Sequence, residues 1–277
     1  MRPKLRSIPD YRSALSSRRG LEIGGPSPMF TVDGQVPVYD VLKSLDNCLY
    51  SMSTIWTGDV REGKTFFYQS GKEPGAQIIS DASDLHVIRD STYECVLASH
   101  CLEHIANPLR ALIEWKRILQ DDGLLLLLLP HKDGTFDWRR PTTPLAHMIR
   151  DYENKTGEED LTHLPEILEF HDLSRDEAAG TKEQFRQRCL ANHRNRAMHH
   201  HVFDTQTALD VVDHVGFKIL RVDYLKPCHI IILASRTRGP FDNRRFLEKG
   251  EHNARSPLPS GHPRQNNLKT RAEDYVK

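Results

Sequence analysis

Histidine is the residue type in this sequence with the clearest capacity for chemistry. The chain has 15 histidines among 277 residues, and an imidazole with an unperturbed pKa of about 6.5 can exchange a proton at neutral pH. His100 and His131 each follow an apolar run that predicts a buried strand. Open α/β sheets bind ligands beyond the carboxyl ends of their strands. We therefore expect His131 and His100 to be catalytic, as candidate general bases.

A second group of histidines lies between residues 147 and 201. It consists of His147, His163, His171, His193, His199, His200 and His201. Asp160 or Asp172 could complete a cation site, but the spacings match no standard metal-ligand pattern. On an extended backbone His200 and His201 would point to opposite sides. We therefore assign no metal ligands, and we interpret most of these histidines as surface and packing residues.

Acidic residues and glycines form a further set of candidates near the start of the chain. Glu22 precedes the turn Gly24-Gly25-Pro26-Ser27, and Asp46 and the pair Asp81-Ala82 follow later. Glycine lets a backbone approach a ligand closely, and turn amides can bind a polar or anionic group. Pro26 and Pro28 lack an amide hydrogen, so this loop cannot surround a ligand with donors in the usual way.

The elements that would position these residues alternate in type along the chain. Strands are predicted at 20–24, 77–80 and 93–99, and the stretch 41–50 stays unassigned because Asp46 and Asn47 interrupt it. Apolar residues at helical spacing predict a helix over 107–120, which Asp121-Asp122-Gly123 should end. The six leucines at 124–129 predict a central parallel strand covered on both faces. This order is typical of an α/β protein with a doubly wound sheet.

The second half of the chain changes in character after Pro130. Residues 131–203 show no convincing strand and predict a mostly helical insertion, with helices near 144–154, 164–170 and 175–192. A helix at 205–215 and strands at 217–225 and 230–235 should complete the sheet. The domains expected are an N-terminal segment (1–18), a core (19–130), the insertion (131–203), the end of the core sheet (204–235) and a disordered tail (236–277).

Composition limits the classes of partner. Lysine plus arginine and aspartate plus glutamate both number 38, so we expect no nucleic acid partner. The five cysteines contain no C-x-x-C pair, which favours a reducing compartment. No secretory signal is visible, and the longest apolar run is too short to span a bilayer. The sequence therefore predicts a cytoplasmic protein without membrane contact, and leaves its oligomeric state open.

Taken in order, these segments resemble class I, Rossmann-like, S-adenosylmethionine-dependent methyltransferases. The resemblance rests on Leu21–Ser27, on Asp81-Ala82, on Val96–His104 with its Leu-Glu-His motif, and on Asp122-Gly123-Leu124. It covers about residues 19–131 and 204–235, and the Leu-Glu-His segment is its most specific part. It implies a mostly parallel sheet with an antiparallel last strand, and S-adenosylmethionine as the cofactor.

The resemblance also implies roles for individual residues. Glu22 would face the ammonium group of the cofactor, Asp46 would accept both ribose hydroxyls, and Asp81 would accept from the adenine amino group. The Ala82 amide would face a ring nitrogen, and Gly24, Gly25, Ser27 and Ser99 would complete the cofactor site. His104, within the Leu-Glu-His motif, would anchor the start of a helix.

The function expected is methyl transfer to a small molecule, most plausibly at oxygen of a sugar or secondary metabolite. The insertion of about 70 residues would enclose such an acceptor. One alternative is a metal-assisted O-methyltransferase in which a histidine and acid cluster chelates an acceptor diol. Another is a catalytically inactive cofactor-binding or scaffold protein with the same fold, which the two prolines in the glycine turn favour.

Overall fold

An eight-stranded sheet organises the molecule, which the computed structural model describes over residues 7–248. In chain order the strands are β1 (Arg19–Ile23), β2 (Ser44–Leu49), β3 (Ser53–Thr54), β4 (Gly58–Asp59), β5 (Gly63–Phe66), β6 (Gly75–Ile79), β7 (Tyr93–Ser99), β8 (Leu119–Pro130), β9 (Lys218–Leu225) and β10 (His229–Ser235). The sheet order is β5-β6-β2-β1-β7-β8-β10-β9, and β3 pairs with β4 in a separate hairpin.

The directions of the strands confirm a mostly parallel sheet with an antiparallel last strand. Strands β6, β2, β1, β7 and β8 pair in parallel, whereas β10 runs antiparallel to both β8 and β9. Strand β5 adds an antiparallel edge beside β6, which the sequence pattern did not predict. The stretch left unassigned at 41–50 forms β2, because Asp46 and Asn47 both find hydrogen-bond partners within the sheet.

The leucine run occupies the centre of this sheet, as predicted. Leu124–Leu128 pair with β7 on one side and with β10 on the other, and all six leucines are buried. Leu125, Leu127 and Leu129 belong to the core on one face, and the alternate leucines belong to the core on the other. Six consecutive leucines are needed because successive strand residues point to opposite faces and both faces are covered.

Helices cover the two faces unequally. In chain order they are α1 (Ile8–Leu15), α2 (Pro108–Ile118), α3 (Leu145–Asn154), α4 (Leu164–Phe170), α5 (Lys182–Leu190), α6 (Asn192–Asn195), α7 (Thr205–His214) and α8 (Arg244–Leu247). Residues from α2 and α7 pack on the first face, around the fully buried Trp115. On the opposite face, the core is covered by the single helix α1 and by the chain from Phe30 to Leu42.

Helix α2 starts as predicted and ends earlier than predicted. The Asn107 side chain accepts a hydrogen bond from the Arg110 amide, and Pro108 occupies the first turn, a combination that favours a helix start. The helix ends at Ile118, and β8 begins directly at Leu119. The sequence prediction that the helix continues to residue 120 is therefore wrong.

Helices α3 to α6 lie in the region predicted as an insertion. Helix α4 has the bounds predicted for it. Helix α3 begins one residue after its own predicted start and ends where predicted. The single helix expected over 175–192 is wrong: Gly180 has a φ of 67°, which interrupts it, and Thr181 caps the start of α5. Ile167, Phe185 and nearby apolar residues form a small core of their own.

The segment after the last strand departs from the sequence prediction. Asn243 is buried and its amide donates to the Phe217 carbonyl at 2.8 Å, and Phe246 of α8 packs on the main core. The expectation of disorder from residue 236 is therefore wrong for residues 236–248, and residues 249–277 lie outside the described residues. Between Ser7 and Glu248, the structure contains no helix long and apolar enough to cross a membrane.

Candidate functional site

The glycine turn after β1 uses its own amides for structure. The Gly24 amide donates to the Cys48 carbonyl at 2.9 Å, and the Gly25 amide donates to the Asn47 side-chain oxygen at 2.9 Å. The Asn47 side chain also donates back to the Gly25 carbonyl at 2.9 Å. With Pro26 lacking an amide hydrogen, the backbone of this turn offers a ligand little beyond close approach.

Glu22 faces into this turn and not toward the sheet edge. Its buried carboxylate accepts from the Tyr39 hydroxyl at 2.7 Å and from the Ser27 amide at 3.0 Å. Burial raises the pKa of Glu22 to about 7, although both hydrogen bonds lower it. A Cβ at Gly25 would lie 2.2 Å from Glu22 Oε2. The two oxygens of Glu22 thus hold the turn together, and its expected contact with the cofactor stays a prediction.

Ser27 completes the same turn. It is buried, its amide donates to Glu22, and its hydroxyl accepts from the Met29 amide at 3.2 Å. Within the turn, Gly24 alone has a left-handed backbone, with a φ of 80°, and it lies beside Cys101. Ser27 is thus bonded within the loop, and the close approach of a ligand to Gly24 stays a prediction.

Asp46 lies inside β2 and away from the carboxyl edge. One carboxylate oxygen accepts from the Ala76 amide at 2.7 Å, and the other accepts from the Tyr93 hydroxyl at 2.9 Å. The strand continues to Leu49, so Tyr50 occupies the position at its end. Asp46 therefore joins β2 to its neighbouring strands, and its expected binding to the ribose stays a prediction.

Asp81 lies at the carboxyl edge, just after β6, where the sequence predicted it. One oxygen accepts from the Ser83 amide and hydroxyl at 2.8 and 2.7 Å, and the other pairs with Arg196 at 3.0 Å. Burial alone would raise the pKa of Asp81, but the Ser83 hydrogen bonds and the Arg196 charge lower it. The neighbouring Ala82 carbonyl accepts from Trp115 at 2.9 Å.

Arg196 brings the helical segment to this edge. Besides Asp81, it pairs with Glu158 at 2.7 Å and lies over the Tyr50 ring at 5.1 Å. Asp81, Glu158 and Arg196 line a cleft of about 280 Å³. Glu158 Oε2 and Arg196 Nε are buried without a hydrogen-bond partner among the described residues. The cleft therefore offers acceptors and a donor that fit the amino and hydroxyl groups of an adenosine.

His100 lies at the end of β7, directly after Ser99, and has a left-handed backbone with a φ of 51°. Its Nε2 lies 2.7 Å from His229 Nδ1, and its Nδ1 lies 3.6 Å from Glu103 Oε1. Burial, together with His229 and His199, lowers the pKa of His100 to about 3. His100 is therefore a neutral imidazole at the carboxyl edge, with 30% of its side chain exposed.

Behind His100 lies a group of buried polar residues that we call the Glu103 cluster: His100, Glu103, His104, Asp137 and His199. Glu103 is fully buried, and neither carboxylate oxygen has a hydrogen-bond partner among the described residues. Burial raises the pKa of Glu103 to about 7, although the nearby His199 opposes this. The rings of His104 and His199 are 4.5 Å apart.

The charge of His199 is fixed by Asp137. The His199 ring nitrogen Nδ1 lies 2.6 Å from Asp137, whose other oxygen pairs with Arg140 at 3.0 Å. Burial would lower the pKa of His199, but Asp137 raises it above its usual range. Burial would raise the pKa of Asp137, whereas Arg140 and His199 lower it strongly. A cationic His199 beside Glu103 favours the ionised form of that carboxyl group.

His131 is placed apart from this cluster. It follows β8 as predicted, but it is buried, and its Nδ1 accepts from the Asp133 amide at 3.3 Å. Its backbone amide bonds to Cys228, and it bridges to Phe203. Burial lowers the pKa of His131. The polar contacts that the structure describes for His131 thus include none of the Glu103 cluster.

Of the Glu103 cluster, His100 alone was among the predicted catalytic residues. Glu103 lies within the Leu-Glu-His motif, so its position was available as a signal. Asp137 and His199 are 62 residues apart in the chain, and only folding brings them together. Trp56, in the hairpin formed by β3 and β4, is 58% exposed, and its ring lies 5.3 Å from that of His104.

Comparison with known proteins gives one family match. Residues 58–127 match the family model of a methyltransferase domain. This segment contains the end of the hairpin, Asp81, the whole of β7, the Leu-Glu-His motif and helix α2. No curated protein matches the chain by sequence.

Solved structures resemble the chain at low sequence identity. A S-adenosylmethionine-dependent methyltransferase from Mesorhizobium loti is 12% identical, with a TM-score of 0.45 and coverage of 83% of this chain and 97% of that one. A methyltransferase of the same description from Methanosarcina mazei is 14% identical, with a TM-score of 0.42 and coverage of 85% and 99%.

Proposed function

From the match of residues 58–127 to a methyltransferase domain, we propose that the chain is a class I, S-adenosylmethionine-dependent methyltransferase and that it methylates an oxygen of a small molecule. The observation that carries this proposal is the pair His100 and Glu103 at the carboxyl edge. A neutral imidazole there has a fully buried carboxyl group behind it, with a pKa of about 7 and unpartnered oxygens. The pKa of His100 is about 3 in this arrangement, and an ionised Glu103 together with displacement of His229 would raise it toward the range that suits proton removal from a hydroxyl acceptor.

The residues around Asp81 would hold the methyl donor. Asp81 would accept from the adenine amino group, and Glu158, whose Oε1 also accepts from the Ala106 amide, would accept from the ribose hydroxyls. S-adenosylmethionine supplies an activated methyl group on a positively charged sulfur. Because Arg196 pairs with both acids, it must shift for the cofactor to enter, and its charge then remains close to the site.

His100 takes the proton in this mechanism. His100 Nε2 would accept the proton of the acceptor hydroxyl as its oxygen is methylated. Glu103 lies on the other side of the ring, 3.6 Å from Nδ1. Its ionised form stabilises the imidazolium that results, as a carboxylate does behind a catalytic histidine. His229 lies against His100 Nε2 in this structure and would have to move for the acceptor to reach that atom.

The aromatic residues near the cluster favour a small acceptor. Trp56 lies against His104, and the Phe136 ring lies 4.7 Å from that of His199. Ligand pockets are lined mainly by apolar and aromatic side chains with a few fixed polar groups. A sugar or a secondary metabolite with a free hydroxyl fits this combination. The balanced charge of the chain disfavours nucleic acid, and its five free cysteines favour a reducing, cytoplasmic location.

The proposal is tested by measuring methyl transfer to candidate acceptors. The full chain is incubated with S-adenosylmethionine and sets of sugars, phenols, peptides and RNA, and S-adenosylhomocysteine formation is measured. We expect turnover with a hydroxyl compound, and its loss in His100→Gln but not in the exposed control His86→Gln. Turnover only with peptide or RNA, or with an amine in place of the hydroxyl, would refute the proposal.

A second candidate function follows from the closed glycine turn. Because the Gly24, Gly25 and Ser27 amides are all bonded within the protein, the protein could keep the fold without binding the donor productively. It would then act as a scaffold. Calorimetry distinguishes the two functions: heat on adding S-adenosylhomocysteine supports the enzyme, and no heat at high protein concentration supports the scaffold.

A further inference from the structure

Three histidines that are distant in sequence meet in the helical region. His147 lies in α3, His163 caps the start of α4, and His201 follows α6. One ring nitrogen from each lies within 4.8 Å of the others. The closest pair, His147 Nε2 and His163 Nε2, is separated by 3.0 Å. Three imidazoles can share so small a space when a cation lies between their nitrogen atoms.

Asp151 adds a carboxylate to the same point. It lies one turn after His147 on α3, and its Oδ2 is 3.3 Å from His147 Nε2. That oxygen is buried and has no hydrogen-bond partner among residues 7–248. A buried acceptor without a partner destabilises the folded chain unless a ligand satisfies it.

His201 is oriented for coordination by the core of the protein. Its side chain is 1% exposed, and its Nε2 lies 3.1 Å from the Ala106 carbonyl. A carbonyl acceptor places the ring hydrogen on Nε2 and leaves a lone pair on Nδ1. Nδ1 is buried and has no partner in the described part of the chain. A hydrogen bond from one ring nitrogen to a carbonyl is the usual support of a metal-bound histidine.

We propose that His147, His163, His201 and Asp151 bind one divalent transition-metal ion, of the zinc class. Three imidazole nitrogens exclude Mg²⁺ and Ca²⁺ as the preferred ions, because both prefer oxygen ligands. Four protein ligands leave no open position in a tetrahedral site, so the ion is structural. It joins α3, α4 and the chain at His201 to the Ala106 loop. The proposal is independent of the methyl acceptor and of the catalytic residues.

A neighbouring group is the competing position. Glu103, His104 and His199 also bring ligand atoms within 4.8 Å of one another. His199 Nδ1 is bonded to Asp137 at 2.6 Å, and this group brings two imidazoles to a cation where the first brings three. Ions of the zinc class suit imidazole ligands, so we assign the cation to His147, His163 and His201.

The experiment measures metal content and affinity on the full chain. Purified protein is analysed for metals, stripped with a chelator and titrated with Zn²⁺, with Mg²⁺ in a parallel titration. The variants are His163→Gln, His199→Gln and the exposed His193→Gln as the matched control. We expect about one Zn²⁺ per chain in the wild type, in His199→Gln and in His193→Gln. We expect affinity weaker by more than about a hundredfold in His163→Gln.

Cobalt provides a readout that depends on geometry. Co²⁺ in a four-coordinate site absorbs visible light strongly, and we expect that band in His193→Gln and not in His163→Gln. Circular dichroism confirms that His163→Gln is folded, which its partly exposed position favours. Wild-type protein without stoichiometric zinc, or zinc lost in His199→Gln but retained in His163→Gln, would overturn the proposal. Either result would leave a hydrogen-bonded histidine pair in place of the ion.

Discussion

Glu22 and Glu103 are two fully buried glutamates at neighbouring strand ends, and burial raises the pKa of each to about 7. They differ in their partners. The Glu22 carboxylate accepts from Tyr39 and Ser27, whereas neither oxygen of Glu103 has a partner among the described residues. Burial and pKa alone thus do not separate a structural acid from a catalytic one. The unsatisfied hydrogen-bonding capacity does.

The difference follows from the loop after each strand. The turn after Glu22 folds back on the carboxylate, so the cost of burying it is offset by two hydrogen bonds. The turn after β7 places His100 beside Glu103, and the chain after α6 places His199 there, without a hydrogen bond to its carboxylate. That cost remains until a ligand or a charged histidine compensates it, which is typical of groups that act in catalysis.

The largest effect on kcat is expected for substitutions of His100 and Glu103. His100→Gln and Glu103→Gln should each lower kcat by about 10²–10⁴, the usual contribution of a proton-transfer group. Glu22→Gln, the matched structural variant, should lower the free energy of unfolding and leave kcat nearly unchanged. Steady-state kinetics and chemical denaturation measure both effects. Equal losses of kcat in Glu22→Gln and Glu103→Gln would remove the distinction between the two acids.

The pH dependence of the rate should report on Glu103. With a pKa of about 7, this carboxyl group is protonated below neutral pH and ionised above it. Because only the ionised form stabilises the imidazolium of His100, kcat should rise as pH increases through about 7. Glu103→Gln should show a lower rate without that rise. A rise that persists in Glu103→Gln would assign the titration to another group.

The free energy of unfolding should decrease as pH rises, whereas kcat should increase. Both glutamates have a folded-state pKa of about 7, above the ordinary value of 4.5. Their neutral forms therefore stabilise the fold fully below pH 4.5, and this contribution is lost as pH rises through about 7. Denaturation curves across that range should show a smaller decline in Glu22→Gln. An unchanged decline would mean that Glu22 is not protonated in the folded protein.

A smaller effect is expected at the cofactor edge. Asp81→Ala should weaken binding of S-adenosylhomocysteine by roughly tenfold, the loss of about one charge-assisted hydrogen bond. Asp46→Ala should leave that affinity unchanged, because its oxygens are bonded to Ala76 and Tyr93 within the sheet. Calorimetry of both variants measures the difference. Weaker binding in Asp46→Ala alone would support the sequence prediction for that residue.

The smallest effect should come from His131. His131→Ala is expected to lower turnover less than His100→Gln and to leave cofactor affinity nearly intact, because the polar contacts described for His131 lie outside the Glu103 cluster. Turnover of the two variants with one acceptor decides which histidine takes the proton. A larger loss in His131→Ala would return the role of base to that residue.

The sequence by itself determined the central part of the fold. Periodicity and local caps depend on neighbouring residues, so the leucine strand and helix α4 were predictable, whereas the antiparallel last strand was expected only from the family resemblance. The position of Asp81 was predictable for the same reason, because it directly follows a strand. Strand β2 was not predicted because the polar pair Asp46-Asn47 conceals a strand whose polar groups are satisfied only across the sheet.

Only the tertiary structure decided which polar groups are free. The acids of the glycine turn and of the Leu-Glu-His motif look alike in sequence, yet Tyr39 satisfies one and nothing among the described residues satisfies the other. Asp137 and His199, like His147, His163 and His201, come together through packing of distant segments. The physical reason is that burial and hydrogen bonding are properties of three-dimensional neighbours, which sequence spacing does not encode.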